Sequence, residues 1–392
     1  MSEGQRPIFD AHLDLGWSAV SFNRDLTQSI NNIRNGEEGL TDELSRGKNT
    51  VSFPEMRKGG VKMCLATLLA RGGPDQPKRS ACKRTDLDSL TPSIAYAQAH
   101  AQLAYYRLME QEGCMRMITS SEELSAFWAS EKLNSGPLGF ILSMEGADPI
   151  TSPSQVEYWW NQGLRAVGPA HYGRGQYAYG TQVEGTLSPS CYELLREFEQ
   201  LGMILDVTHL CDISFYQALD SFHGPVLASH HNCRALVPGD RQLSDAQIRL
   251  ITQRDAVIGM ALDAWMLYPG WVRGKTSPTV VGLSAVADHI DHICQLTGSA
   301  LHVALGSDLD GGFGTEQTPH DLQTIADLQK LSGILNERGY SADAIDGIFF
   351  KNWLRFFENA LPLKTVRDSG ERKALRTHGA ALGMEHIAPA VL

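Results

Sequence analysis

The sequence predicts a (β/α)8 barrel, a TIM-like α/β fold, and two observations support this prediction. Eight short apolar segments recur along the 392-residue chain, and amphipathic helical segments lie between several of them. Most of the eight segments show no regular alternation of apolar and polar residues, which is typical of parallel strands buried on both faces. An open, doubly wound sheet is the alternative, but no glycine-rich nucleotide-binding motif follows the first segment.

The predicted strands and helices can be read directly from the chain. In order, the strands are PIFDAHLDL, VKMCLATLL, LGFILSME, LRAVGPAH, MILDVTHL, PVLASH, AVIGMAL and HVALGSD. The helical patterns are SIAYAQAHAQLAYYRLMEQ, SPSQVEYWWNQ, SPSCYELLREFEQLG and AVADHIDHICQLTG. Two of these patterns begin with Ser-Pro, a pair that suits an N-cap followed by proline in the first turn.

The chain shows no linker, repeat or low-complexity segment, so we expect one domain over residues 1–392. Two polar segments, residues 22–50 and 72–89, follow predicted strands. We expect them to be long loops at the carboxyl-terminal face of the barrel, where such folds place their active sites. Residues 359–392 are expected to form a helical or irregular tail.

Composition argues against several classes of function. The net charge of −11 and the absence of any Lys/Arg-rich block speak against nucleic acid or an anionic membrane as a partner. The longest apolar runs are too short to cross a bilayer, and neither a signal peptide nor a lipid-anchor signal is visible. Seven scattered cysteines without C-x-x-C spacing are typical of reduced thiols, so we expect a cytoplasmic protein.

Ionisable residues stand at the ends of six predicted strands. His12 and Asp14 are two residues apart, so a strand would place both on one face. The other strand ends carry Glu145, His171, His209, the pair His230 and His231, and the pair Asp308 and Asp310. Any one of them has an ordinary explanation, such as a packed histidine or an Asp-Gly turn. Six such coincidences at one end of one barrel are hard to reconcile with packing alone.

The residue types indicate metal chemistry. Imidazoles combined with carboxylates suit zinc or a similar divalent ion. Three histidines, one aspartate and one glutamate exceed the three protein ligands of a usual catalytic zinc site, so they suit two ions that share a carboxylate and a hydroxide. A calcium loop in DLDGG is excluded because Gly312 occupies the third ligand position of the EF-hand pattern.

The ordered motifs H-x-D, SMEGAD, GMILDVTHL, SHHNCRAL with DRQLSD, and GSDLDGG resemble the membrane (renal) dipeptidase family of zinc peptidases. Further agreement comes from FPEMRKGGVK, HIDHICQLTG and KNWLRFFE, so the resemblance spans Phe9 to Glu358. It implies an amidohydrolase-like (β/α)8 metallohydrolase. The segment HYGRGQYAYGTQVEG departs from the family pattern, and its Tyr/Gly-rich composition suits either a lid or a loop at the rim.

The resemblance implies five metal ligands and a role for each. His12 and Asp14 would bind one ion, His209 and His230 the other, and Glu145 would bridge them. His230 is preferred to its neighbour His231 because the family pattern reads Ser-His-x-Asn.

The resemblance also implies groups that act on the substrate. His171 would lie beside the substrate and polarise the scissile carbonyl, and Asp308 would transfer the proton. Arg241 would bind the terminal carboxylate of the substrate, with Arg234 as the competing candidate. Asp310 is expected to be structural.

These expectations define a dipeptidase that hydrolyses the amide bond of dipeptides with a hydroxide bridging two zinc ions. Manganese and cobalt also accept such ligands, so zinc is the first choice among three. A hydrolase of N-acyl-amino acids on the same scaffold is the nearer alternative, and a non-catalytic metal-binding protein is the more distant one. The expected partner is a dipeptide, and the resemblance allows a homodimer.

Overall fold

The structure, a computed structural model, describes residues 5–72, 88–130 and 133–363. Its strands are β1 (Ile8–Leu13), β2 (Val61–Leu69), β3 (Arg71–Gly72), β4 (Asp88–Ser89), β5 (Met115–Met117), β6 (Leu138–Glu145), β7 (Leu164–Gly168), β8 (Ile204–Asp206), β9 (Val226–Leu227), β10 (Ile258–Met260) and β11 (Val303–Leu305). Eight of them, β1, β2 and β6 to β11, lie within the eight predicted segments.

The helices fill the intervals between the strands. They are α1 (Leu15–Phe22), α2 (Ile30–Gly36), α3 (Phe53–Lys58), α4 (Pro92–Gln111), α5 (Ser121–Ser130), α6 (Val156–Asn161), α7 (Pro189–Leu201), α8 (Asp212–Ser221), α9 (Asp245–Thr252), α10 (Ala264–Leu267), α11 (Leu283–Thr297), α12 (Lys330–Glu337), α13 (Ala342–Asp346) and α14 (Asn352–Ala360). Short 3-10 turns cover Pro153–Gln155, Pro278–Val280 and Ile325–Gln329, and a π-helical turn covers Gly347–Lys351. Within the described ranges, no helix combines the length and the apolarity needed to span a bilayer.

Parallel pairing arranges the eight strands as a barrel. The strand order is β1-β2-β6-β7-β8-β9, with β5 beside β6, and β10 pairs with β11 in parallel. A parallel bridge between Ala228 and Ile258 joins the first group to β10. Ser307, just after β11, donates its backbone N–H to the Asp10 carboxylate of β1 over 2.8 Å. The predicted (β/α)8 barrel is therefore confirmed.

Helix α14 packs its apolar face against the barrel strands. Phe357 stacks on Phe9 near the beginning of β1, with ring centroids 5.2 Å apart. Trp353 is fully buried, and its indole N–H donates to the carbonyl of Leu305 over 2.8 Å. Apolar residues at positions 353, 354, 356 and 357 repeat with the helical period, which explains why this segment folds onto the barrel.

The local predictions have mixed outcomes. Ser188 caps α7 as expected, because its hydroxyl accepts the backbone N–H of Cys191. Ser152 stands at the N-cap position before Pro153 as expected, but of a 3-10 turn that precedes α6, and its hydroxyl bonds with that of Ser154 and makes no capping hydrogen bond. After Phe22, which ends α1, the predicted loop over residues 22–50 contains one short helix, α2. Residues 73–87 of the second polar segment, and residues 364–392 of the predicted tail, lie outside the described residues.

Candidate metal centre

Glu145, the last residue of β6, lies at the centre of a buried cluster. One of its carboxylate oxygens, Oε2, is 3.4 Å from His12 Nε2. The other, Oε1, is 2.9 Å from His209 Nε2 and 3.3 Å from His230 Nε2. Asp14 completes the first group, with Oδ2 3.7 Å from His12 Nε2. The five predicted ligands are thus brought together as two groups that meet at one carboxylate.

In each group the candidate ligand atoms lie within 4.8 Å of one another. The groups are His12, Asp14 and Glu145, then Glu145, His209 and His230, and a third that combines His12, His230 and Asp308. Spacing of this kind suits a cation placed between the atoms. The shared glutamate and the two separate groups suit two cations better than one.

Three of these side chains carry buried atoms that no other described residue satisfies. They are His12 Nε2, Asp14 Oδ1 and Glu145 Oε1. The last atom lies near His209 Nε2, but the two are not aligned for a hydrogen bond. An unsatisfied buried polar atom costs about 1–3 kcal/mol, so a cluster of three is unfavourable unless something binds there. Divalent cations fit these residues, because imidazole and carboxylate are both ligand types that zinc accepts.

The histidines of the second group are oriented by hydroxyl groups behind them. Thr181 Oγ1 lies 2.9 Å from His209 Nδ1, and Ser229 Oγ lies 2.9 Å from His230 Nδ1. Each contact engages one ring nitrogen and leaves Nε2 directed at Glu145. Metal-binding histidines commonly have such a partner on the other nitrogen, since it fixes the ring and the tautomer.

The backbone around the cluster adopts conformations that most residues avoid. His209 and Asp308 have φ values of 68° and 58°, in the left-handed region. Non-glycine residues adopt this region uncommonly, and such residues cluster at functional sites. The turns after β8 and β11 therefore hold His209 and Asp308 in a backbone conformation that is strained but defined.

Burial and mutual charge shift the protonation of the cluster. Burial by itself would raise the pKa of Glu145, but the imidazoles around it outweigh burial and hold that pKa well below its usual range. Burial lowers the pKa of His209 and of His230 well below the ordinary value. At His12 burial is outweighed by the charges of Glu145 and Asp14, which raise its pKa well above the ordinary value. The neutral imidazoles beside a carboxylate, the state that metal binding requires, are therefore those of His209 and His230.

Asp308 stands beside the cluster, with Oδ1 3.8 Å from His12 Nε2. Burial, together with the carboxylates of Asp14 and Glu145, raises its pKa well above the ordinary value. Asp310, by contrast, accepts hydrogen bonds from the backbone N–H and hydroxyl of Thr50, at 2.7 and 2.8 Å. Its carboxylate holds the loop before α3, as expected for a structural residue.

A cavity of about 280 Å³ opens beside the cluster. The charged and aromatic side chains that line it include Arg71, His171, Tyr172, Arg241, Asp263 and Arg273. The Tyr/Gly-rich segment after His171 contributes Tyr172 and Gln182 to this wall, while its Tyr177 is buried. The departure from the family pattern therefore lies directly against the space available to a ligand.

Arg241 is a buried guanidinium that makes no ion pair with any described residue. It is 1% exposed, donates to the carbonyl of His230 over 3.0 Å and lies 3.4 Å from His231 Nδ1. Arg234 differs, because it pairs with both oxygens of Asp212 at 2.7 and 2.8 Å and does not line the cavity. Of the two candidates, Arg241 alone presents an uncompensated positive charge to the cavity.

His171 is held in one tautomer by Arg71. The guanidinium of Arg71 lies 3.1 Å from His171 Nδ1 and also pairs with Asp88. Because a guanidinium only donates, Nδ1 accepts and the proton resides on Nε2. Burial lowers the pKa of His171 to about 3, with Arg71 and Arg241 acting in the same direction and Glu145 opposing them. His171 is therefore a neutral ring with an N–H donor in the cavity.

Arg71 and Asp263 are among the cavity residues that were not predicted from the sequence. Arg71 follows β2 and Asp263 follows β10, the two barrel strands whose ends carried no candidate residue. The signal that would have found them is position alone: each is the first charged residue after its strand. With these two residues, every strand of the barrel contributes a polar or ionisable group to one end.

A parallel barrel with a buried His/carboxylate cluster at the carboxyl ends of its strands defines the class of metal-dependent, amidohydrolase-like barrels. The family model described as membrane dipeptidase, peptidase family M19, matches residues 3–369, and the chain belongs to this family. The resemblance found in the sequence is confirmed.

The most similar curated proteins include relatives from bacteria and fungi. An uncharacterized protein in the pqqA 5′ region of Klebsiella pneumoniae is 28% identical, over 57% of this chain and 82% of its own length. An uncharacterized dipeptidase of Schizosaccharomyces pombe is 28% identical over 59% of this chain and 54% of its own length, and dipeptidase tcpJ of Claviceps purpurea is 27% identical over 56% and 51%. The chain thus spans about half the length of the latter two relatives.

Solved structures share the fold at low identity. A metallopeptidase from Rhodobacter sphaeroides, liganded with a phosphinate mimic of the dipeptide L-Ala-D-Ala, has a TM-score of 0.73 at 22% identity, over 91% of this chain and 99% of its own. The probable dipeptidase PvdM from Pseudomonas aeruginosa has a TM-score of 0.73 at 18% identity, over 91% and 96%. At these identities the likeness establishes the fold.

Proposed function

We propose that this protein is a metal-dependent dipeptidase that holds two divalent cations, with zinc as the first choice. The observation that supports it best is Glu145, whose two oxygens face two separate groups of candidate ligands. Membership of the dipeptidase family adds support. So does the unpaired guanidinium of Arg241, which offers a site for the carboxylate that every unblocked dipeptide carries.

The residues divide between the two cations by contact. His12 and Asp14 would hold the first, His209 and His230 would hold the second, and Glu145 would serve both. Cations bound in this way supply Lewis acidity, which polarises a carbonyl and lowers the pKa of water toward neutrality. The roles of the remaining residues follow from their positions around the cavity.

Arg241 binds and orients the substrate. Its buried guanidinium forms a charge-assisted pair with the terminal carboxylate, and such a pair is strong because both partners are removed from water. His171 then donates from Nε2 to the carbonyl oxygen of the scissile bond and stabilises the negative charge that develops there. Arg71 acts through His171, since it fixes the tautomer that makes this donation possible.

Asp308 moves the proton. Its carboxylate takes a proton from the attacking water and delivers it to the nitrogen of the leaving group, as general base and then general acid. The amine that leaves would otherwise depart as an unstable anion. The position of Asp308, on the cavity wall and 3.8 Å from the nearest ligand atom of His12, leaves it free for this transfer.

A substrate panel tests the reaction class. We expect wild-type protein loaded with zinc to hydrolyse Ala-Ala and other free-amine dipeptides. N-acyl-amino acids with the same C-terminal residue carry the same carboxylate, so Arg241 alone does not exclude them. A rate for N-acetyl-alanine above that for Ala-Ala would replace the proposed function by the N-acyl-amino acid hydrolase. No turnover of either substrate by metal-loaded protein would favour a non-catalytic metal-binding protein.

We expect Arg241→Gln to lower kcat/KM for Ala-Ala on the order of 10²-fold, mainly through KM, because a buried charge-assisted contact is lost. The measurement compares initial rates on Ala-Ala and on its C-terminal amide. Wild type should prefer the free carboxylate, and the variant should lose that preference. Arg234→Gln is the matched control, since Arg234 pairs with Asp212 outside the cavity. An unchanged preference in Arg241→Gln would remove Arg241 from this role.

A further inference from the structure

The cavity that Arg241 lines also contains a buried carboxylate, that of Asp263, which the proposed mechanism does not use. Asp263 follows β10, caps the short helix α10 and is 7% exposed. It lines the same cavity as Arg241 and the candidate metal ligands. Because β10 lies between β9 and β11, Asp263 stands on the wall of this cavity between the ends of those two strands.

The partners of Asp263 are all neutral. Its Oδ2 accepts hydrogen bonds from the indole N–H of Trp265 at 2.7 Å and from the side-chain amide of Gln317 at 3.0 Å. From the residues that the structure describes, its Oδ1 accepts only the backbone N–H of Trp265, at 3.3 Å. A carboxylate offers about four acceptor positions, so Oδ1 retains capacity for another donor.

No cation among the described residues forms an ion pair with Asp263. The guanidinium of Arg273, whose charge lowers the pKa of Asp263, is already bound by Glu316 and by the carbonyl of Gly312. Burial raises the pKa of Asp263 to about 7, more than the hydrogen bonds from Gln317 and Trp265 lower it. Buried charges in proteins are normally paired, so this carboxylate lacks a partner that the cavity has room to supply.

The cavity therefore presents an unpaired positive charge at Arg241 and an unpaired acidic group at Asp263. A ligand complementary to both carries one carboxylate and one cationic group. An asparagine at position 263 would keep a single acceptor oxygen, so it would lose either the contacts of Oδ2 with Trp265 and Gln317 or the contact of Oδ1 with the backbone of Trp265.

We propose that Asp263 binds a cationic group of the substrate, an alkylammonium or guanidinium, and thereby sets substrate specificity. The inference rests on the proposed dipeptidase function for the identity of the substrate. A dipeptide offers two sources of this chemistry: the N-terminal ammonium and the side chain of a basic residue. Both would form a charge-assisted hydrogen bond with the free position of Oδ1.

Hydrolysis of matched dipeptides distinguishes the two sources. The panel is Lys-Ala, norleucyl-Ala and hexanoyl-Ala, which remove first the side-chain cation and then the N-terminal ammonium from a chain of constant length. If Asp263 binds the side chain, Asp263→Asn should lower kcat/KM for Lys-Ala at least 10-fold and leave the others unchanged. If it binds the N-terminal ammonium, both free-amine dipeptides should lose at least 10-fold, and hexanoyl-Ala should lose nothing.

Two further variants control for structure. Asp148→Asn is the matched control for Asp263→Asn. Asp148 is also a buried carboxylate, and it accepts hydrogen bonds from neutral donors, the backbone N–H groups of Gly72 and Gln176. It does not line the cavity. Asp148→Asn should leave the substrate preference unchanged. Asp263→Glu keeps the charge and should restore part of the preference lost in Asp263→Asn. An equal loss on all three substrates, or no loss on any, would overturn the proposal.

Equilibrium binding separates this inference from the proposed function. Lysine, norleucine and hexanoate are titrated into metal-loaded wild-type protein by calorimetry, since none of them can be hydrolysed. Tighter binding of a cationic ligand, lost in Asp263→Asn, would support the inference even if no dipeptide were cleaved. Dipeptide cleavage combined with equal binding of all three ligands by wild type would overturn the inference and leave the proposed function standing. The wild-type comparison needs no variant to fold.

Discussion

Replacing Asp308 by asparagine should abolish most turnover and leave metal binding intact. Asparagine keeps the shape of the side chain but cannot carry a proton between water and the leaving nitrogen. General acid–base catalysis contributes about 10²–10⁴-fold, so kcat for Ala-Ala should fall by that order. The measurement pairs initial rates with elemental analysis of the same preparation. Asp308 is not one of the five residues assigned as ligands, and its Oδ1 lies 3.8 Å from His12 Nε2, so metal content should not change.

The outcome separates proton transfer from metal binding. Asp308 also belongs to a possible ligand group with His12 and His230. Loss of metal from Asp308→Asn in proportion to activity would reassign Asp308 as a ligand. Turnover at the wild-type rate would reject its role as the proton carrier.

Replacing Glu145 by glutamine should reduce the metal content to one ion per chain or none. Glutamine retains a single oxygen and places an NH2 group at the other position. That NH2 faces either His12 or the pair His209 and His230, so at least one ligand group loses its carboxylate. Elemental analysis after dialysis measures the change directly.

A matched control is available for this variant. Glu37 is also a buried glutamate, but it pairs with Arg24 and Arg46 away from the cluster. Glu37→Gln should lose stability and keep its metal content. Two tightly bound ions in Glu145→Gln would contradict the bridging role of Glu145.

The sequence was sufficient to predict the barrel and the place where its polar residues gather. Each strand is an apolar run, and both the run and the ionisable residue after it are local signals. His12 with Asp14, and the glutamate that ends β6, could be recognised because parallel strands bring their carboxyl ends to one face. The choice of His230 over His231 also followed from a local pattern.

Other features depend on contacts between distant parts of the chain. Arg234 and Arg241 look alike in the sequence, and only the pairing of Arg234 with Asp212 distinguishes them. Arg71 acquires its significance from a contact with His171, 100 residues away. Asp263 resembles an ordinary helix cap, and only its surroundings in the fold show that no cation of the described residues pairs with it. Local sequence patterns were enough to locate the site, whereas the ion pairs and charges around it could be assigned only from the folded structure.

The most direct test of the two-cation centre is the metal content per chain, measured by elemental analysis of protein purified without chelator. We expect about two divalent ions per chain, with dipeptidase activity lost on chelation and restored by zinc. Protein that holds no metal tightly, and that gains neither metal nor activity when zinc is added, would contradict the two-cation centre around Glu145.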